Sequence, residues 1–386
     1  MSTVQELEAR KVRGQAIADV ESNVRRIDEH EYRVKSQSGN GEYQVVSTEV
    51  GWYCACPDAI TRVIKCKHIF AVELSLEIRR RIENAKRIVP LDYQSCLSCG
   101  SPSIVKDGLL HNKSGDIQRY TCKGCGKRFT RNLGFEHMRA KPEAITMAMQ
   151  LYFTGVSLRN TKRALALRGV KVSHVAVLKW VRKYVALMDG YLSQITPKVS
   201  DTWRTDELYI KVKGDQKYLF AMLDDETRFW IAQQVAEHKG TSDVRPMFKE
   251  SKEITQKIPK TFISDGANNF HDAYRKEFLD TYGEKPSAVH VRHIRMAGDM
   301  NNNKMERFNG ELRDREKVMR SLKTQDTAIL KGMQIHHNFI REHEGLDGRT
   351  PAEAAGITVE GADKWLTIIQ NAKHLQSVNS KEGAKA

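Results

Sequence analysis

A chain of 386 residues with 40% apolar content exceeds what one hydrophobic core usually serves, so roughly two to four folded units are expected. Its 63 Lys and Arg against 48 Asp and Glu leave a formal charge of +15, which favours a polyanionic partner: nucleic acid first, an anionic membrane surface second. No apolar run approaches the ~20 residues that span a bilayer, and the opening MSTVQELEARKVRGQ is a charged helical pattern without the apolar centre of a signal peptide. The expectation is a soluble, intracellular protein with no membrane partner.

All seven cysteines fall between Cys54 and Cys125. An odd count with close pairs points to metal rather than disulfides. The stretch CACPDAITRVIKCKH supplies Cys54, Cys56, Cys66 and His68 as C-x-C-x9-C-x-H, three soft thiolates and an imidazole suited to a tetrahedral Zn²⁺ shell. EYRVKSQ and EYQVVST alternate as strands, and IFAVELSLEIRRRIENAKRI carries a helical pattern. The first ligand pair is thus predicted at a strand end and the second at a helix start. Unliganded buried thiols are the alternative. The pattern resembles the SWIM zinc finger, here assigned to residues 1–90.

A second set follows in residues 91–135. CLSCG and CKGCG place Cys96, Cys99, Cys122 and Cys125 as C-x2-C-x22-C-x2-C. Each C-x2-C-G is a knuckle: the turn aims backbone amides at the thiolates, and Gly100 or Gly126 takes the positive φ that the turn requires. IVKDGLLHNKSGDIQRYTC between them is predicted to form two short strands around NKSGD. The unit resembles a zinc ribbon, and RYTCKGCGKRF is similar to the form found at the front of insertion-sequence transposases. Its core is too small to fold alone, so zinc would supply much of its stability.

Residues 140–190 turn helical. PEAITMAMQLYFTG begins with Pro142 in its first turn and ends before Gly155; SLRNTKRALALRG is capped by Ser157 and ends at Gly169; SHVAVLKWVRKYVALM is capped by Ser173. Three short helices, the last basic, fit a helix-turn-helix whose third helix enters the major groove. Val177, Trp180, Val181 and Tyr184 would face the core, leaving Ser173, His174, Lys179, Arg182 and Lys183 for DNA. An amphipathic helical trio of purely structural role is the alternative.

From residue 200 the period becomes two. In TWRTDELYIKVKG, Arg204, Asp206, Leu208, Ile210 and Val212 share one face, which sets Asp206 on the apolar side, where a carboxylate is costly unless compensated. YLFAMLDD and RFWIAQQVAE are two further strands, and Asp224, Asp225 and Glu226 between them are turn residues, not catalytic ones. A helix around SDVRPMFKESKE precedes KTFISDGANNF, a short strand ending in Asp265 and Gly266, a common place for a functional group in an α/β sheet. NNFHDAYRKEFLD is a helix and SAVHVRHI a strand.

On the helix NNNKMERFNGELRDREKVMRSLK, Met305, Phe308, Leu312, Met319 and Leu322 form one apolar stripe. Glu306 stands at its margin, with Arg313, Lys317 and Arg320 continuing its own side. A solvated ion pair is the simplest use for such an acid. Alternatively, Asp206, Asp265 and Glu306 converge at one sheet edge, where clustered carboxylates stay ionised only with a cation among them. Oxygen donors select Mg²⁺ or Mn²⁺, and a pair of such ions suits phosphodiester chemistry. The basic track and the asparagines would then meet phosphate oxygens.

DELYIKVKG with Asp206, ISDGANNF with Asp265 and NNNKMERFNGELRDREKVMRSLK with Glu306 resemble the DDE-type transposases of insertion sequences, and HHNFIREHEGLDGRTPAEAAGI is similar to their tails. With the ribbon, the likeness covers residues 91 to about 357. It implies an α/β catalytic domain at 200–323, an RNase H-like mixed sheet flanked by helices, preceded by the zinc modules and the helix-turn-helix and followed by a helical tail at 324–386. It also implies Asp206, Asp265 and Glu306 as the catalytic triad of an enzyme that cuts transposon ends and joins them to target DNA. Synapsis of two ends then calls for at least a dimer. The 40 residues between Asp265 and Glu306 exceed the family's usual spacing, which leaves Asp299 and Glu311 as alternatives for the third acid. The SWIM-like unit is an addition to the commonest plan. The competing functions are a domesticated DNA-binding protein without chemistry and an RNase H-like nuclease that cuts without joining.

Overall fold

The computed structural model describes residues 3–382 apart from 19, 21–22, 28–29, 38, 40, 49–50, 63–64, 86, 279–288, 293–302, 320–321 and 323–327. The chain divides into two compact units, Met1–Ala85 and Lys86–Ala386.

In the first unit, helix α1 (Thr3–Ala18) precedes four antiparallel strands in the order β1-β2-β3-β4: β1 (Val24–Arg26), β2 (Glu31–Lys35), β3 (Glu42–Thr48) and β4 (Gly51–Cys54). Helices α2 (Pro57–Arg62) and α3 (Lys67–Ala85) follow. Alternation in EYRVK buries Tyr32 and Val34, which pack with Val45, Ile69, Val72 and the three cysteines. Gly14 lets α1 lie close on α3, since a Cβ there would stand 2.6 Å from that of Phe70.

The second unit opens with β5 (Arg87–Ile88), and then β6 (Ile104–Asn112), β7 (Gly115–Cys122) and β8 (Arg128–Thr130) form an antiparallel sheet. Helices α4 (Pro142–Phe153), α5 (Leu158–Leu167) and α6 (His174–Leu192) stand where the helical period places them. The Ser157 and Ser173 hydroxyls accept from the amides of Asn160 (3.3 Å) and Ala176 (3.0 Å), so both expected caps are made. Val177, Trp180, Val181 and Tyr184 are all buried.

A five-stranded mixed sheet carries the rest. Its elements are β9 (Thr202–Val212), β10 (Asp215–Asp224), β11 (Trp230–Ala236), helix α7 (Thr241–Thr255), β12 (Thr261–Ser264), helix α8 (Asn268–Glu277), β13 (Val289–Arg292) and helix α9 (Asn303–Met319). The strand order is β11-β10-β9-β12-β13: the first three pair antiparallel, while β12 runs parallel to both β9 and β13. The expected mixed α/β architecture is therefore present. Phe248 of α7 and Phe278 pack on Phe262 of β12 beneath the sheet, with ring centroids 5.1 and 5.9 Å away.

Helix α10 (Ala328–Ile335), a π-helical turn at His336–Ile340, helix α11 (Pro351–Ala354), β14 (Thr358–Val359) and helix α12 (Lys364–Glu382) complete the chain. These elements lie back on the helical trio. α10 crosses α6 so closely that a Cβ on Gly332 would strike the Phe153 ring and Val185. Trp365 of α12 donates to Gln150 Oε1 at 2.8 Å, and β14 pairs with β5 in parallel.

Candidate active site and metal centres

The register of the mixed sheet brings two of the three acids side by side. β12 pairs in parallel with β9, Thr261 with Thr202 and Ile263 with Arg204. Two residues further along each strand stand Asp265 and Asp206, on neighbouring strands that run ~4.8 Å apart in a sheet. Burial pushes the Asp206 carboxyl up to about 6, and the charge of Asp265 adds to the rise while the Glu207 amide opposes it. Asp265 is exposed. Its turn is held from three sides: its own Oδ1 accepts from the Ala267 amide at 3.0 Å, Ser264 Oγ accepts from the Gly266 amide at 3.2 Å, and Arg292 Nε donates to the Gly266 carbonyl at 3.1 Å. Gly266 takes φ +90°, as the turn demands.

Helix α9 brings the third acid. Asn309 Nδ2 donates to Asp206 Oδ2 at 2.8 Å, and Glu306 lies one helical turn before it. Lys304 ties the start of the helix to the β10–β11 turn through Asp225 (2.9 Å), which also pairs with buried Arg204. Further along, Glu316 Oε1 accepts from the Lys211 amide at 2.5 Å, and Arg315 donates to the Tyr152 carbonyl of α4. Leu322 then bridges Val212, closing the part of the β9 edge that β12 leaves free. Glu306 itself is exposed, and no ion pair engages it among the described residues. Of the expected stripe, Met305, Phe308 and Leu312 are buried on α9 and Leu322 is buried beyond its end, while the Met319 side chain lies outside the described residues.

The alternatives for the third acid differ from Glu306. Asp299 lies outside the described residues, as do Asn301 and Asn302. Glu311 is engaged, pairing with Arg341 at 2.5 Å. His337 stands 4.0 Å from the same carboxylate, but full burial pushes its imidazole down to about 3 and keeps it neutral. Asp224 is likewise taken, accepting from Ser200 Oγ and from the amide and hydroxyl of Thr227. The turn reading of Asp224 and Asp225 thus agrees with their contacts.

Two other groups have donor atoms all within 4.8 Å of one another, and the three carboxylates are not gathered so closely. In the first unit, Cys54 ends β4, Cys56 follows it, Cys66 precedes α3 and His68 stands in its first turn. The imidazole faces the thiols through Nδ1, 3.8 Å from Cys54 Sγ and 4.0 Å from Cys66 Sγ, with the Tyr43 ring against it at 4.7 Å. Its Nε2 is buried with no hydrogen-bond partner among the described residues. The hydrogen bond between Cys54 and Cys66 raises the first thiol and lowers the second to about 4.

In the second group, Cys96 and Cys99 face Cys125 and Cys122 with Sγ–Sγ distances of 3.7 Å. Four thiolates ~2.3 Å from one tetrahedral ion stand about 3.8 Å apart. The knuckle geometry is also there: Gly100 and Gly126 have φ +70° and +69°, and the Ser98 amide points at Cys96 Sγ from 3.4 Å.

The residues expected at DNA fall into different surroundings. Ser173, His174, Lys179 and Arg182 are exposed on α6. Lys183 leans back on the protein, 3.4 Å from Met138 Sδ and 4.9 Å above the Tyr184 ring, and burial lowers its pKa. On α9, Arg313 is exposed, Lys317 pairs with Asp314 at 2.9 Å, and Arg320 lies outside the described residues. Sequence reasoning missed the contacts of Asn309, Arg292 and Lys304, reading the asparagines and cations around Glu306 as phosphate donors. Of these only Asn309 carried a signal, being one turn from Glu306 on the same helix.

Residues 200–343 match the family model described as a DDE domain. That segment contains Asp206, Asp265 and Glu306 and runs from β9 through the π-helical turn. Over 138 residues the chain is 29% identical to the transposase for insertion sequence element IS257 in transposon Tn4003 of Staphylococcus aureus. It is equally similar to the transposase for insertion sequence-like element IS431mec of Staphylococcus aureus strain N315. The match takes in 34% of this chain and 62% of each relative, so the chain spans less than two thirds of the length of the relatives it matches. Among solved structures, the HTLV-2 integrase catalytic core domain in complex with magnesium superposes on 42% of this chain and 97% of its own length, at 18% identity and a TM-score of 0.31. Among the described residues, no helix is long and apolar enough to cross a membrane.

Proposed function

We propose that this chain is a DNA transposase of the DDE type, which binds the ends of an insertion sequence, cuts them and transfers the freed strands to target DNA. The observation that carries the reading is the parallel register of β9 with β12, which sets Asp206 level with Asp265 just past the end of β12, with Glu306 a turn from the Asn309–Asp206 hydrogen bond, inside a segment that matches a DDE domain. The donor chemistry fits Mg²⁺ or Mn²⁺: oxygen ligands only, and one carboxyl whose rise to about 6 a nearby cation would reverse. Held by the three carboxylates, such ions supply the Lewis-acid charge that phosphodiester cleavage and transfer need. Asn309 fixes the orientation of the Asp206 carboxylate, the Ser264 and Arg292 contacts hold the Asp265 turn, and the Lys304–Asp225 pair sets where α9 begins. Arg313 and Lys317 on α9 and Arg320 beyond it in the sequence, with Ser173 at the start of α6 and His174, Lys179, Arg182 and Lys183 on it, contact DNA.

In the same reading the two cysteine groups hold structural Zn²⁺: residues 1–90 act as a SWIM-type finger and 91–135 as a zinc ribbon. Residues 140–190 serve as the helix-turn-helix, 200–323 as the catalytic domain and 324–386 as its helical extension. The protein works in the cytoplasm on the nucleoid as a dimer or larger assembly, because two ends must be held together. Incubating the chain with labelled terminal DNA, target plasmid and Mg²⁺ tests this. The expected result is exposure of 3′-hydroxyl ends followed by their joining to target. Cutting without joining would make it a nuclease, and binding without either would make it a DNA-binding derivative of a transposase.

A further inference from the structure

Between the β6–β7 turn, the segment leading into α4 and the α5–α6 turn runs an open groove of about 930 Å³. Lys113 stands at the turn of the ribbon sheet, Arg139 and Lys141 on the lead-in segment, and Arg168 and Lys171 between α5 and α6. All five are exposed, and none makes an ion pair or a side-chain hydrogen bond among the described residues. The acid on the same lining is Glu143. Five exposed cations facing one acid give the groove a positive potential that concentrates polyanions. The floor between them is apolar, with Met138, Met147, Leu165 and Trp180. His137, at the bend of the lead-in segment, holds φ +62°, a left-handed conformation that a non-glycine residue adopts at a cost.

We propose that this groove clamps the phosphodiester backbone of the DNA that α6 reads, without regard to base sequence, so that the ribbon and the helical trio grip one DNA segment together. The proposal rests on the transposase reading for its partner and deepens it by naming the surface. Phosphates match the rows of cations, and the sugar edges match the apolar floor. An acidic protein segment would satisfy the cations but would leave Met147 and the rim of Trp180 facing charged side chains. The groove also reassigns part of α6. At 100° per residue, Lys179 and Lys183 lie within about 60° of the groove-lining Ala176, whereas His174 points about 160° away. Lys179 and Lys183 therefore border the backbone clamp, and His174 is left to face the bases.

The test uses the full chain with Zn²⁺ and compares wild type with the quadruple variant Arg139→Gln, Lys141→Gln, Arg168→Gln, Lys171→Gln and with Lys113→Gln alone. Affinity for a terminal-repeat duplex and for a scrambled duplex is measured from 50 to 300 mM salt. Each neutralised phosphate releases ~0.9 counterion, which is about fivefold in affinity at 0.15 M salt. The quadruple variant should therefore lose affinity by two to three orders of magnitude (about fivefold for each of its changes), equally for both duplexes, with a shallower salt slope. Lys113→Gln should reduce the slope by about one contact. Unchanged slopes in both variants, with thermal midpoints equal to wild type, would overturn the clamp while leaving the transposase reading intact. A loss confined to the terminal sequence would also overturn it, as would displacement of DNA by poly-glutamate at equal charge concentration. Failure of the wild-type chain to bind either duplex would strike at the transposase reading itself.

Discussion

The cysteine clusters and the carboxylate edge are both donor sets suited to cations, yet the first are drawn together and the second is splayed. The ribbon thiols stand 3.7 Å apart, whereas Asp206, Asp265 and Glu306 do not gather within 4.8 Å. The difference follows from charge. Thiols are soft groups that share hydrogen bonds with one another, as Cys54 and Cys66 do, so they pack closely. Carboxylates repel one another when ionised, and the Asp206 carboxyl is raised chiefly by burial, with the charge of Asp265 adding to it.

That contrast can be broken most sharply at Glu306. Glu306→Gln keeps shape and removes charge, so cleavage should fall on the order of 10³-fold or more while end binding stays near wild type, and adding Asp206→Asn should lower it little further because such residues act as a unit. Near-normal cleavage by the single variant would return Glu306 to an ordinary solvated acid. The next largest effect belongs to the thiols. Elemental analysis should find two zinc ions per chain. Cys66→Ser and Cys122→Ser should each lose one, and Cys122→Ser should melt the ribbon because so small a unit depends on its ion. Chelation should divide the sites in the same way: EDTA abolishes cleavage at once, while loss of far-UV signal follows only as zinc leaves. Unfolding that tracks Mg²⁺ removal instead would erase the distinction.

A smaller effect lies in pH. The folded state holds Asp206 near 6, above its value of about 4 in an unfolded chain, so the fold favours the neutral form. The metal-free protein should therefore lose stability as pH rises from about 4 to about 6, and the loss should level off above that. Protons and Mg²⁺ compete for the same oxygens, so the half-saturating Mg²⁺ concentration for cleavage should climb by about tenfold for each pH unit below 6. A flat Mg²⁺ requirement from pH 5 to 7 would mean that Asp206 is not a ligand. The smallest effect is expected at Glu311, whose ion pair with half-exposed Arg341 contributes roughly 0–1 kcal/mol. Glu311→Gln should leave cleavage within about threefold of wild type, and a collapse there would move the third acid five residues along α9.

The sequence by itself determined several features that depend on short-range geometry. The knuckles are legible because C-x2-C-G closes within one turn, so the motif alone assigns Gly100 and Gly126 their positive φ. The three helices of the trio are legible because Ser157 and Ser173 cap locally and because Val177, Trp180, Val181 and Tyr184 repeat at 3.6. Asp206 and Asp265 could be suspected from an acid on an apolar face and an acid before a glycine at a strand end. Tertiary structure decided what lies between those pieces. The parallel register of β9 with β12 joins residues about 60 positions apart and sets the two acids level. Asn309 became part of the site only through its contact with Asp206, and only the fold shows Glu311 paired with Arg341. The closing helices look from their pattern like a separate tail, yet Gly332 against Phe153 shows α10 seated on the helical trio. A hydrophobic stripe states that a face is buried without stating against what, and a basic residue states a charge without stating its neighbours. For that reason the groove between Lys113 and Lys171 exists only once the ribbon turn and the α5–α6 turn have been brought together.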